Sequence, residues 1–190
     1  MTTVHDLRRV DDEAFQQLLD RNAVWQRMVA VGDRLPDLPL LEADLGPIHL
    51  DRLLDTGPVV LMFVRFAGSA DCEAALRAYR KSLLPELTRL DAHLVAVSPQ
   101  APARLAAVKH REELDFFVAS DPRHVLIDAL NIGFSSPGAD RVLGTRRSVL
   151  PFASVVVADR AGVVRFADIR ANWSDPVPAA EIVQTVASMS

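Results

Sequence analysis

The stretch "PVVLMFVRF", residues 58–66, constrains this chain more than any other. It is a continuous apolar run rich in β-branched residues, and its length suits a strand better than a helix. It does not alternate apolar with polar, so both faces must be covered. That is the pattern of a strand inside a parallel sheet with helices packed on both sides. With 49% hydrophobic and 24% charged residues, a chain of 190 residues can build such a core. The length points to one domain with an extension.

The flanking patterns supply the helices and further strands. Residues 11–30 predict a helix, with Phe15, Leu18, Leu19, Val24, Trp25 and Met28 at helical spacing and Asp11 or Asp12 as cap. Residues 31–50, with three prolines and two glycines, predict an extended lead-in. A short helical turn ends at Gly57. Residues 72–90 predict a helix that Pro85 kinks or splits. Residues 93–99 read as a strand, 102–114 as a helix, 115–122 as a short strand and turn, and 123–132 as a helix. Residues 133–150 read as a loop. A hairpin turning at Asp159–Gly162 and a terminal helix near 175–189 complete the chain. Parallel βαβ units followed by an antiparallel hairpin give an α/β fold with a mixed sheet. Residues 1–30 read as an appended helical extension, and 31–190 as the domain.

Composition removes several functions. The net charge is -4 and no basic block stands out, so nucleic-acid and anionic-membrane binding have no support. No run of about 18 apolar residues exists, and the N-terminus lacks the apolar core of a signal peptide. A cytoplasmic location is the resulting expectation. His5, His49, His93, His110 and His124 are scattered without ligand spacing, so no metal is expected. No cofactor-binding glycine motif occurs. The single cysteine, Cys72, excludes an intrachain disulfide, a cysteine metal cluster and an internal CxxC redox cycle.

Cys72 follows the apolar run and stands at the start of the next helix. A helix N-terminus favours a negative charge by about 0.3–1 kcal/mol when exposed and up to about 2 when partly buried. Ser69, three residues earlier, reads either as the helix cap, in competition with Asp71, or as a hydrogen-bond donor to the sulfur. Arg65 at the strand end can bring a positive charge. Asp71 and Glu73 flank the sulfur and oppose a thiolate. Alternatively, a lone cysteine is simply a small buried hydrophobe. Trp25 and Trp173 read as packing anchors.

The order of elements and five local phrases resemble the peroxiredoxin branch of the thioredoxin fold, the group that includes alkyl hydroperoxide reductase. "VGDRLPDLPL" resembles that family's opening segment and "GPVVLMFVRF" its central strand. "LDAHLVAVSPQAP" resembles the next strand and loop, "FFVASDP" a further strand and turn, and "VVVADRAGVVRF" the closing hairpin. The likeness covers residues 31 to 187. It implies a thioredoxin-like three-layer α/β fold with a central mixed sheet flanked by helices. It also implies thiol-dependent peroxide reduction, with a hydroperoxide substrate and an external thiol reductant. Pairing into a homodimer is a further expectation, with the N-terminal helix and Trp25 as dimer contact or lid.

The family signature is P-x-x-x-(T/S)-x-x-C. Ser69 and Cys72 match it, while Arg65 stands where proline is usual. A subgroup carries arginine there, followed by W-C-P-x-C; in that frame Ser69 replaces the first cysteine and Cys72 keeps the second. Both frames put Cys72 at the peroxidatic position. The resemblance therefore implies Cys72 as nucleophile, Ser69 as its hydrogen-bond partner and Arg65 as electrostatic activator. The family's active-site arginine falls on Ala153, and Arg146 or Arg147 in the preceding loop is the candidate replacement. A competing reading is a non-catalytic thioredoxin-fold module that binds a partner or senses oxidation. Arg65 in place of proline, Ala153 and the two acids beside Cys72 favour it.

Overall fold

The computed structural model describes residues 24–66 and 68–189. The apolar run forms β3 (Val59–Phe63), preceded by β1 (Pro39–Glu42), β2 (Gly46–His49) and α1 (Leu50–Thr56). After it come α2 (Ala70–Ser82), α3 (Leu84–Arg89), β4 (His93–Ser98), α4 (Pro102–Arg111), β5 (Phe117–Ser120) and α5 (Val125–Ala129). Next are β6 (Gly133–Ser135), α6 (Ala139–Leu143) and β7 (Val149–Pro151), then β8 (Ala153–Ala158), β9 (Val164–Arg170) and α7 (Ala179–Ala187). Among the described residues no helix is long and apolar enough to cross a membrane.

The main sheet has the order β2-β1-β5-β4-β3-β8-β9. β3 runs parallel to β4 and antiparallel to β8, and β4 runs parallel to β5. All five residues of β3 are buried. Their side chains divide between two cores because successive residues of a strand point to opposite faces. Val60 and Met62, with Val64 just beyond, join the core beneath α2, α3, α4 and α7, which includes Leu76, Leu87, Leu105 and Ile182. Val59, Leu61 and Phe63 join the other core, with Leu50, Leu54, Leu126 and Ile127 from α1 and α5. The expected three-layer thioredoxin-like architecture is therefore present. Each large apolar side chain buried this way contributes about 1.5–3 kcal/mol.

Pro85 splits the helical segment as expected. α2 ends at Ser82, and Pro85 sits in the first turn of α3, where its missing N–H costs nothing. Two expectations need correction. Residues 31–50 are extended, but they also fold into the antiparallel β1–β2 hairpin, with Leu40 opposite Ile48. Residues 133–150 are not simply a loop: β6 and β7 pair into a second small sheet, and α6 lies between them. Three-residue strands are too short to show a period of two. Of the helix expected over 11–30, residues 11–23 lie outside the described residues. Val24–Arg27 is a single 3-10 turn, and Met28 and Val29 are buried in the α1/α5 core.

Gly57 opens the central strand in an extended conformation that other residues can also adopt. Its constraint is space: a Cβ there would stand 1.7 Å from the backbone carbonyl oxygen of Asp91. The next residue fixes that contact, since the carbonyl of Pro58 accepts from His93 N at 2.8 Å. Gly57→Ala is expected to destabilise the fold by about 3 kcal/mol, the upper end of overpacking costs. The check is a lowered urea midpoint at unchanged slope; an unmoved midpoint would show that the two backbones separate freely.

Candidate active site at Cys72

β3 leaves the sheet at Phe63, and the chain reaches α2 within seven residues. Ser69 is the N-cap of α2, and its Oγ accepts from the backbone N–H of Cys72 at 3.2 Å. Glu73 N–H donates to the Ser69 carbonyl at 3.0 Å, the first intrahelical bond. The helix thus starts at Ala70, two residues earlier than the sequence suggested, and Cys72 is the third residue of its first turn. The amides of Ala70 and Asp71 have no intrahelical acceptor, as in any first turn. Ser69 acts as a cap here, while its hydroxyl hydrogen remains available for one further bond.

The sulfur's residue is not presented to solvent. Cys72 is 2% exposed and belongs to the same buried core as Val64, Ala75, Leu76, Tyr79 and Ala153. The cause is its phase: positions 72, 75, 76 and 79 recur at i, i+3, i+4 and i+7 and form one helix face. The periodicity of Ala75, Leu76 and Tyr79 is written in the sequence, whereas what packs over that face at Cys72 is not. Ala153, where the family arginine would stand, is buried in the same core.

Of the charged groups expected near the sulfur, Arg65, Arg147 and Glu73 have definite partners. Arg65 is half-buried; its guanidinium donates to the Ala171 carbonyl and lies over the Phe134 ring, 5.1 Å from the centroid. Ser98 Oγ donates to the Arg65 carbonyl at 3.5 Å. Arg147 pairs with Asp128 at 2.5 and 3.1 Å and also donates to the Arg123 carbonyl, so its charge is committed to that pair. The hydrogen bond to Asp128 raises its pKa above the ordinary arginine value. Arg146 is exposed. Of the acids beside the sulfur, Asp71 is exposed, while Glu73 is engaged by Arg111 and, at 3.9 Å, by Arg77. The acid expected to oppose a thiolate from one side is therefore largely offset.

Polar residues to which the sequence pattern gave no functional role line the carboxyl edge of the parallel strands. Ser98, Gln100, Ser120, Asp121 and His124 are all buried. Asp121 caps α5, accepting from the amides of Val125, Leu126 and Ile127 at 2.7–3.0 Å. Burial nevertheless holds its pKa above the usual aspartate value. His124 Nε2 lies 2.9 Å from the Val149 carbonyl, so this nitrogen carries the proton. Phe66 and Phe134 pack against Ala139 and Leu143 of α6 and Leu150 of β7, beside the segment that leads to Ser69. Two concavities of about 420 and 510 Å³ lie elsewhere, by Thr56, His93, Asp91 and Arg160 at the amino edge of the sheet.

Comparison with known proteins decides the family. The sequence model of the AhpC/TSA family matches residues 31–167. The chain belongs to the AhpC/TSA family. Solved structures with this fold include peroxidoxin BcpB from Mycobacterium tuberculosis, at 20% identity and TM-score 0.71, covering 84% of this chain and 97% of that one. A cysteine-to-serine mutant of Xylella fastidiosa PrxQ matches at 16% identity and TM-score 0.69, covering 84% and 96%. A yeast mitochondrial 1-Cys peroxiredoxin matches at 18% and 0.66, covering 84% and 76%. At these identities the structural likeness speaks for the fold. No curated protein sequence matches the chain. For an AhpC/TSA-family domain, the strand exit at Phe63 and the first turn of α2 are where the lone thiol sits.

Proposed function

We propose that this AhpC/TSA-family chain is a thiol peroxidase that works with one cysteine. Family membership and the peroxiredoxin fold support thiol peroxidase chemistry in general. The observation that carries the specific assignment is the position of Cys72, in the Ser69-capped first turn of α2 directly after the central strand. In the reaction the Cys72 thiolate attacks one peroxide oxygen. An S–O bond forms and the O–O bond breaks, the sulfur is oxidised by two electrons to a sulfenic acid, and the departing oxygen takes a proton to leave as alcohol or water. An external thiol then attacks the sulfenic sulfur and releases water, and a second thiol equivalent returns Cys72 to the reduced state.

Ser69 fixes the helix start and offers its hydroxyl hydrogen. Arg65, held at the strand exit by Ala171 and Phe134, supplies positive charge on that side of the loop. Since Cys72 is buried, this reading requires that the peroxide reach it through a local opening of the strand exit and first helical turn.

A second reading is favoured by that same burial together with Ala153: a non-catalytic module in which Cys72 is a core residue. Single-turnover oxidation separates the two. The peroxidase is expected to consume one equivalent of hydrogen peroxide or an alkyl hydroperoxide per chain and to gain one oxygen at Cys72 in the intact mass. A chain that leaves the peroxide untouched and its mass unchanged is the module instead.

A further inference from the structure

Residues 171–178 have no regular structure and run from the end of β9 to α7. In the sheet β8 separates β9 from β3, yet this segment reaches across and binds both sides of the Cys72 housing. Upstream of the cysteine, Trp173 Nε1–H donates to the carbonyl of Phe63, the last residue of β3, at 2.9 Å. Arg65 donates in return to the Ala171 carbonyl. Downstream, two turns after Cys72 on α2, the Tyr79 hydroxyl donates to the Val177 carbonyl at 2.7 Å. The Tyr79 and Trp173 rings meet edge to face, with centroids 6.1 Å apart and planes at 86°. Trp173 and Val177 are 5% and 2% exposed and lie in the same core as Cys72. The segment is also tied to itself: Arg170 donates to the Asp175 carbonyl at 2.6 Å, and Ser174 N–H donates to Asn172 Oδ1 at 3.0 Å.

The strand exit and the start of α2 are the two parts that must separate before a reagent reaches the sulfur. One segment grips the strand exit at Phe63 and, two turns beyond Cys72, the body of α2 at Tyr79. We propose that Trp173 is a positioning residue for Cys72: its indole N–H and ring clasp the strand exit to α2 and set how often the thiol becomes accessible. Trp173 acts through its bond to Phe63 and its ring contact with Tyr79. The proposal rests on Cys72 being the reacting thiol, and its test reads access rather than turnover.

Iodoacetamide labelling of Cys72 under native conditions provides the readout. Trp173→Phe keeps an aromatic ring and loses the N–H, leaving the buried Phe63 carbonyl without that donor. Labelling is expected to accelerate roughly tenfold, the ratio that corresponds to about 1.4 kcal/mol of opening free energy. Tyr79→Phe, which removes the other bond, is expected to act in the same direction and serves if Trp173→Phe does not fold. Ile127→Val, in the core on the far face of the sheet, lowers global stability by a comparable amount and is expected to leave the labelling rate unchanged. Equal acceleration in all three, or none in the two clasp variants, overturns the proposal, because access would then follow global unfolding or depend on other contacts. In a Trp25→Phe background Trp173 is the sole indole, and its emission is expected to shift when Cys72 is alkylated; an unchanged spectrum also counts against the clasp. Peroxide consumption by the unaltered chain is measured in parallel. Its absence removes the peroxidase reading while leaving the labelling comparison decisive for Trp173.

Discussion

Cys72→Ala is expected to reduce peroxide consumption by roughly a thousandfold or more, to the background of the buffer, because covalent catalysis disappears with its nucleophile. The chain has one cysteine, so no neighbouring thiol can take over. Alanine is the informative replacement. Its methyl group stays compatible with the apolar surroundings of Val64, Ala75, Leu76 and Tyr79, and the small cavity it leaves costs about 1 kcal/mol. Serine would instead bury a hydroxyl at a cost of about 1–3 kcal/mol and confuse loss of chemistry with loss of structure. The measurement is peroxide decay with excess reductant, with circular dichroism showing that the variant is folded. Undiminished decay in folded Cys72→Ala would end the peroxidase assignment.

Glu42→Ala is expected to be the most damaging single change to stability, by about 3–5 kcal/mol. Glu42 ends β1 with its carboxylate fully enclosed, yet every part of it is used. Oε1 accepts from Lys109 Nζ at 2.6 Å and from Val118 N–H at 3.0 Å, and Oε2 accepts from the amides of Asp44 and Leu45 at 2.7 and 2.9 Å. One side chain therefore closes the β1–β2 turn and fastens the hairpin to β5 and α4. Truncation takes this acceptor from three amides and from a largely buried ammonium, which keeps Asp44 at 3.3 Å. Burial is the largest influence on the Glu42 carboxyl and pushes its pKa up, but the bonds from Lys109, Val118, Asp44 and Leu45 outweigh it, and the net shift is downward. A carboxyl depressed in the folded state contributes stability above its unfolded pKa, about 4.3, and loses that contribution as pH falls through the folded value. The difference in urea midpoint between the unaltered chain and Glu42→Gln is therefore expected to be full at neutral pH and to shrink below about pH 4. A difference that stays constant from pH 7 to pH 3 would show that the charge itself contributes nothing.

Much of the fold was legible because its signals are local. A short β-branched apolar run with no alternation suits a strand covered on both faces, Pro85 interrupts a helix, and Asp159–Gly162 turns a hairpin. The β1–β2 hairpin and the small β6–β7 sheet were not legible. Their strands have three or four residues and are held by distant partners, such as the pairing of Leu41 with Ser120. The candidate site divides in the same way. The lone thiol, its serine cap and the strand-to-helix junction could all be read from the sequence. The partners of the charges could not: Glu73 meets Arg111, 38 residues on, Arg65 meets Ala171, 106 residues on, and Arg147 turns to Asp128.

The sequence by itself determined that one sulfur stands in the first turn of a helix issuing from the middle of the sheet, because helix caps, prolines and apolar periodicity act over a few residues. Only the tertiary structure decided that this sulfur faces inward and that Trp173 spans from one side of its housing to the other. Side-chain burial is fixed by what packs against a helix face, and here the packing segment lies about a hundred residues further along the chain.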